Sequence, residues 1–355
     1  MSGLVLGALL VSSLVGELAA GGPLEATGTV GEASGVTVGR PRILSKRSST
    51  DQFELRREFP AEAYSTSMRS KRTEDHHITE CIFMSSEEGD FYHKASTVDG
   101  KACGAYIFSE PDQNIEIRIN YLNVPCERGG LISVVDGWEL NGEFFPSPRD
   151  HFRPLRSRFS EFCGEKRVKQ VFVSSQNVAL VQYRMPARGS SFSFNVKFVK
   201  NPTPCNVLIQ TEDIYTLRNY GKRANCSVST LFPAVVKVAA LNVGIKPSAG
   251  RGIELETGTI HKVRFECQKR GLDDYVQIGG SSGLDNANLQ VSDSLCGLDS
   301  KAGRHVEVVA CDTTTVRMVS SGAFDNSVTV YLRQLNDDDI NGHMNVICLS
   351  DDMLK

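Results

Sequence analysis

Ser191-Phe192-Ser193-Phe194-Asn195-Val196-Lys197-Phe198 alternates polar and apolar residues with a period of two, and Ser327-Val328-Thr329-Val330-Tyr331-Leu332 does the same further along the chain. Successive side chains of a strand point to opposite faces, so Phe192, Phe194, Val196 and Phe198 line one face of the first run. Val328, Val330 and Leu332 line one face of the second. Ile115, Ile117, Ile119 and Tyr121 repeat the pattern upstream. Gly, Pro, Asn and Asp punctuate these short runs, and no helical period of useful length competes with them. The pattern predicts an all-β chain of half-buried antiparallel strands packed as sandwiches.

A longer unit occurs twice around these strands. Cys126 is followed by Leu131-Ile132-Ser133-Val134-Val135-Asp136-Gly137 and then by Phe162-Cys163-Gly164. Cys267 is followed by Asp274-Tyr275-Val276-Gln277-Ile278-Gly279-Gly280 and then by Leu295-Cys296-Gly297. Each Cys-Gly leads on to a similar segment, Ser174-Ser175-Gln176-Asn177-Val178-Ala179-Leu180-Val181 in one case and Asp312-Thr313-Thr314-Thr315-Val316-Arg317-Met318-Val319 in the other. From Cys81 onward about 275 residues remain, more than one small core spans. The repeat predicts two domains, 75–200 and 201–355.

The amino-terminal residues have a different character. Leu4 to Val15 is apolar apart from Gly7, Ser12 and Ser13, and Gly16, Ala19 and Ala20 follow, so residues 1–20 resemble a signal peptide. The run is too short for a membrane helix, and no later stretch approaches the roughly 18 to 20 apolar residues of a span. Residues 21–74 are rich in Gly, Ser, Thr and charge and contain no Cys, which predicts a disordered propeptide or arm. Within it Lys46-Arg47 and Arg69-Ser70-Lys71-Arg72 resemble secretory processing sites; cleavage after Arg72 starts the folded protein near Thr73. Solvated charge in a polar tail is the alternative.

All ten cysteines lie beyond the leader, an even number that points to disulfides in an oxidising, extracellular compartment. Spacing alone leaves their pairing open. Zinc is disfavoured because no CxxC or clustered Cys/His spacing occurs. With 39 basic and 42 acidic residues and a net charge of -3, the chain has no electrostatic footprint for nucleic acid.

Several stretches carry a family resemblance. Asp274-Tyr275-Val276-Gln277-Ile278 through Cys296-Gly297, with the strand after Ser320-Ser321-Gly322, resembles a CUB domain, and the first repeat resembles a divergent one. Ser109-Glu110-Pro111, Asp136-Gly137-Trp138-Glu139-Leu140-Asn141-Gly142-Glu143-Phe144-Phe145-Pro146-Ser147, Ser174 to Ala179, Pro204-Cys205-Asn206-Val207, Asn225-Cys226-Ser227 and Val316 to Gly322 resemble the corticotropin-releasing factor-binding protein family from Cys81 to about Leu349. The resemblance implies two disulfide-stapled, jelly-roll-like CUB sandwiches in tandem. It also implies nearest-neighbour pairing: Cys81 with Cys103, Cys126 with Cys163, Cys205 with Cys226, Cys267 with Cys296, and Cys311 with Cys348. Its functional implication is a secreted, non-enzymatic protein that sequesters amphipathic helical hormones of the corticotropin-releasing factor, urocortin or arthropod diuretic-hormone type and limits receptor activation. An extracellular CUB-type adhesion or matrix module is the alternative.

Individual residues sharpen these expectations. Asn225-Cys226-Ser227 is the one N-glycosylation sequon, since Pro202 blocks Asn201-Pro202-Thr203. Trp138, Phe144 and Phe145, in a loop after a Gly turn, are candidate contacts for an apolar hormone face, although a sandwich core or an interdomain lid suits aromatic residues better. The segment leading into Cys81 is a second candidate. Gly279-Gly280-Ser281-Ser282-Gly283 matches a nucleophile elbow, but no strand-to-helix context follows it. The histidines at 76, 77, 93, 151, 261, 305 and 343 contain no HExxH, so neither a catalytic metal nor another cofactor is expected. Asp274 matches one of the carboxylates that hold calcium in many CUB domains; a lone carboxylate falls short of a calcium site, and a solvated turn Asp is the expectation.

Overall fold

The computed structural model describes residues 75–348, apart from 166, 248–252, 256–266, 268–271 and 300–301. The expected leader, the arm and Arg72 lie outside the described residues. The architecture is all-β: two sandwiches, each of two sheets, follow one another along the chain.

One sheet of the first sandwich runs Asp75–His77, Gly89–Lys94, Ser191–Lys200, Gln113–Val124 and Gly164–Glu165, with Val171–Val173 also paired to Gln113–Val124. The facing sheet runs Ile82–Ser85, Asp99–Phe108, Val178–Met185, Leu131–Asp136 and Phe159–Phe162. The second sandwich repeats this facing sheet strand for strand: Asn206–Ile209, Cys226–Thr230, Thr313–Val319, Tyr275–Ser281 and Gln290–Leu295. In both copies the first strand is a parallel edge strand while its neighbours run antiparallel. Asp213–Arg218, Ser327–Gln334, Ala234–Val243, Val306–Ala310 and Val346–Ile347 form the remaining sheet, with Gly297–Asp299 also paired to Ala234–Val243.

The alternating runs explain the cores. Phe192, Phe194 and Val196 turn inward with Ile115, Ile117, Ile119 and Phe91, and Val328, Val330 and Leu332 do so in the second sandwich. Tyr121 departs from the expected face. The ladder shifts register between Ser193 and Phe194, so Ser193 faces Tyr121 while Phe194 faces Ile119. A bulge of this kind re-aims the following side chains: Leu122 and Val124 are buried, and Tyr121 is 44% exposed.

Five disulfides tie the strands. Cys81–Cys103 and Cys205–Cys226 each join a parallel edge strand to its neighbour, and Cys126–Cys163 and Cys267–Cys296 close the longer loops of the two copies. Cys311–Cys348 fixes the last strand, which pairs in parallel with Val306–Ala310. Bridges enclosing 21 to 37 residues each contribute stability by restricting the unfolded chain, by about 3–4 kcal/mol in the chain-entropy account.

Candidate functional site

The outer face of the first sandwich's facing sheet is apolar, with Tyr106, Leu180, Val178 and Val135 all buried. The hairpin formed by Trp138–Leu140 and Glu143–Phe145 folds over this face, and Leu208 and Leu284 of the second sandwich complete the cluster. Coverage on both faces explains why Leu131–Asp136 is buried at successive residues rather than at alternate ones. Trp138 and Phe145, candidate hormone contacts by sequence, are 2% and 1% exposed. The Trp138 indole N–H points inward, 3.1 Å from both the Ile107 and Ala179 carbonyls. Both rings are therefore committed to packing between the sandwiches and present no face to a ligand. Phe144 is half-buried, edge-on to Phe159 and beneath the Arg158 guanidinium.

Polar clasps hold the same seam. The Asn177 amide donates to the Leu208 carbonyl at 2.7 Å and accepts from the Leu208 N–H at 3.0 Å, pairing with that edge strand as a neighbouring strand does. Gln176 accepts from the Cys205 and Asn206 N–H groups, and Asn286 accepts from the Ser147 N–H. Asp150 receives both arms of the Arg317 guanidinium at 2.7 and 2.6 Å, and the Asp150 side chain is fully buried. Burial alone lowers the Arg317 pKa, but the Asp150 carboxylate outweighs it and raises the value.

Gly137 starts the loop that carries Asp150. Its φ of 112° suits glycine, and a Cβ there collides with Arg158 and the Phe145 carbonyl. Arg158 is 2% exposed and donates to the carbonyls of Asp136, Pro146 and Phe145. Burial lowers its guanidinium to about 10, against the opposing pull of Asp136, so it stays cationic at neutral pH. Burial raises the Asp136 carboxyl, but hydrogen bonding by His151 and Ser175 reverses this and leaves it below the usual carboxylate range. The Ser175 contacts, 2.6 and 2.5 Å, are the strong ones; His151 Nε2 lies at 3.4 Å.

Between the two sandwiches this framework leaves a cleft of about 1200 Å³. One wall is the 149–153 loop, where Phe152 is 73% exposed, and the other is the 220–225 loop with Tyr220, Lys222 and Arg223. Gly322 permits the second wall to close: at φ 88° it approaches the Arg223 backbone, where a Cβ would stand 2.8 Å from the Arg223 nitrogen. The Phe152 ring is held rather than loose. It stacks on His151 with centroids 5.0 Å apart, Arg153 lies 5.3 Å over it, and the His151 side chain is fully buried. The Arg153 N–H donates to His151 Nδ1 at 2.9 Å, which places the proton of the neutral ring on Nε2. The cleft exceeds the roughly 300–1,000 Å³ of small-molecule sites, and its size and exposed ring suit a peptide segment.

Phe152, Lys222 and Arg223 carry no motif; their one sequence signal is a phenylalanine between His151 and Arg153 in a charged loop. Asn225 lines the cleft, half-buried, with its side-chain N–H donating to Asp150 at 2.9 Å. Of the segment leading into Cys81, Ile78 is fully buried, while His76 and His77 stack on Phe91 and Tyr92. The Ser281 hydroxyl donates to the Gly283 carbonyl within the turn. Asp274 is not the solvated turn residue expected: it is fully buried and accepts from the Ser321 N–H and hydroxyl and from the Asn326 amide. Those donors satisfy the carboxylate from within the fold. Among the described residues no group of three or more His, Cys, Asp or Glu is placed to hold a metal, and no helix is long and apolar enough to cross a membrane.

A family described as corticotropin-releasing factor binding protein N-terminal domain matches residues 75–200, and the corresponding C-terminal domain family matches residues 207–341. The corticotropin-releasing factor-binding protein of Homo sapiens is 35% identical over 256 residues, covering 72% of this chain and 75% of the relative. That of Xenopus laevis is 33% identical over 263 residues, covering 72% and 76%. Among solved structures, the CUB1-EGF-CUB2 domains of rat MASP-1 align over 71% of this chain and 99% of that one at 12% identity, with a TM-score of 0.24, too low to carry weight.

Proposed function

Because the chain belongs to the corticotropin-releasing factor-binding protein family, we propose that it is a secreted, two-domain protein that captures amphipathic helical hormones of the corticotropin-releasing factor and urocortin type, or their arthropod diuretic-hormone relatives. Capture keeps the peptide from its receptor and involves no reaction. In this proposal residues 1–20 are the leader and Arg72 ends a removable arm. Asn225 carries a glycan at the edge of the cleft; a glycosylated amide keeps one N–H, enough for its bond to Asp150.

The observation that carries the proposal is the cleft, open between sandwiches already locked together by Asn177, Gln176 and the Asp150–Arg317 pair. A site rigid before the ligand arrives loses little ordering entropy on binding. The exposed Phe152 ring supplies the aromatic anchor that helix-in-groove recognition uses.

Titration calorimetry of the purified chain against an amidated corticotropin-releasing factor peptide tests this, with a scrambled peptide of equal charge as control. Selective binding tighter than about 1 μM, or more than about 8 kcal/mol, is expected. Equal or absent binding of the two peptides would favour an adhesion module instead.

A further inference from the structure

Cations and carboxylates are unevenly paired around the cleft. Arg149, Arg153, Lys222 and Arg223 line it on the positive side, Asp150 and Asp273 on the negative. Asp150 is neutralised by Arg317, and Arg153 is paired with Asp136 at 3.1 Å. Asp273 also has an interaction of its own. Arg149, Lys222 and Arg223 are exposed and make no ion pair among the described residues. Three uncommitted cations thus stand on both walls of one opening, Arg149 on the first sandwich and Lys222 and Arg223 on the second.

From this arrangement we infer that the cleft selects a peptide with an acidic face: Arg149, Lys222 and Arg223 read carboxylates along it, while Phe152 takes an apolar side chain of the same segment. The inference rests on the proposed peptide capture and adds its charge specificity. Low dielectric at the cleft wall strengthens each pairing relative to open water, and salt weakens it. A polyanionic glycan would satisfy the three cations, but not a phenylalanine ring braced in place by His151 and Arg153 with 73% of its surface in water. Ring and cations together match an amphipathic acidic helix, which offers both chemistries a turn apart.

The test measures affinity for an amidated corticotropin-releasing factor peptide and for the same peptide with its Glu and Asp residues changed to Gln and Asn. The chains compared are the unaltered protein, the triple variant R149E/K222E/R223E, and F152A. These four side chains lie at the surface, and near-ultraviolet circular dichroism with a single cooperative melt checks that each variant is folded. The unaltered chain is expected to prefer the acidic peptide by at least about tenfold and to lose about tenfold in affinity between about 50 and 500 mM salt. The triple variant is expected to lose that preference and the salt dependence together, and F152A to weaken both peptides alike. Equal affinity for the two peptides in the unaltered chain overturns the inference while leaving peptide capture standing. Displacement of the peptide by a sulfated glycan, with F152A binding as tightly as the unaltered chain, overturns it in favour of a general polyanion patch. Absence of any peptide binding removes the proposed capture and the inference with it.

Discussion

Phe91, Phe192, Phe194 and Tyr183 fill the centre of the first sandwich, with Phe83, Phe162, Phe172 and Phe198 packed at its margins. Among the described residues the central cluster of the second is built mainly from Val, Leu and Ile, with Met318, Cys226 and Ala302, and Tyr215 is the one ring packed against its edge. Yet the two facing sheets share one strand order, one parallel edge and equivalent disulfides. Aromatic and β-branched residues both suit a half-buried pleated surface, so the alternation sets the topology and leaves volume free to vary. What volume changes is how contact energy is distributed. A few large rings concentrate it in the first sandwich, and many small branched side chains spread it through the second.

Truncation probes that contrast most strongly. Phe194→Ala is expected to destabilise the first sandwich by about 3–5 kcal/mol, whereas Ile278→Val in the second is expected to cost about 0.5–1.5 kcal/mol. Denaturant unfolding followed through Trp138, the sole tryptophan and a member of the shared seam, reports both. A loss in the Ile278 variant equal to that in the Phe194 variant would mean that ring packing does not set the balance between the two halves.

The seam itself comes next. Asp150→Ala leaves the Arg317 guanidinium, buried on its first-sandwich side, without its carboxylate, and losses on the order of 3 kcal/mol follow from breaking one partner of such a pair. Calorimetry is expected to resolve two transitions where the unaltered chain shows one, because each sandwich keeps its own core. A single transition shifted downward would show that the Trp138 and Leu208 cluster couples the halves without the ion pair.

The smallest effect is one of pH. The Asp136 carboxyl is held below its ordinary value. It therefore contributes stability that is present above about pH 4, its unfolded value, and lost as pH falls through its lowered folded value. Asp136→Asn is expected to flatten the acid limb of the stability curve below about pH 4 while leaving its neutral region nearly level. An acid limb unchanged in this variant would place the acid sensitivity of the first sandwich in other carboxyl groups.

Legibility in sequence was uneven for physical reasons that individual residues show. Phe192 to Phe198 and Val328 to Leu332 declared their strands because each has one wet face and one dry one. Tyr121 broke the same rule, since a bulge depends on the partner strand and leaves no mark on the period. Trp138 and Phe145 read as core or interdomain lid ahead of ligand contact, and the second sandwich, through Leu208 and Leu284, made them core. Asp274 looked solvated because its donors, Ser321 and Asn326, lie about fifty residues away along the chain.

The sequence by itself determined the strands and the duplication through local period and cysteine spacing, and carried the family in motifs such as Asp136 to Ser147. Only the tertiary structure decided where the cleft lies, that Asp150 and Arg317 close the seam beneath it, and that Phe152, Arg149, Lys222 and Arg223 face one opening. A strand's alternation depends on its immediate neighbours along the chain, whereas a site between two sandwiches is made by residues up to 167 positions apart, whose meeting no local pattern encodes.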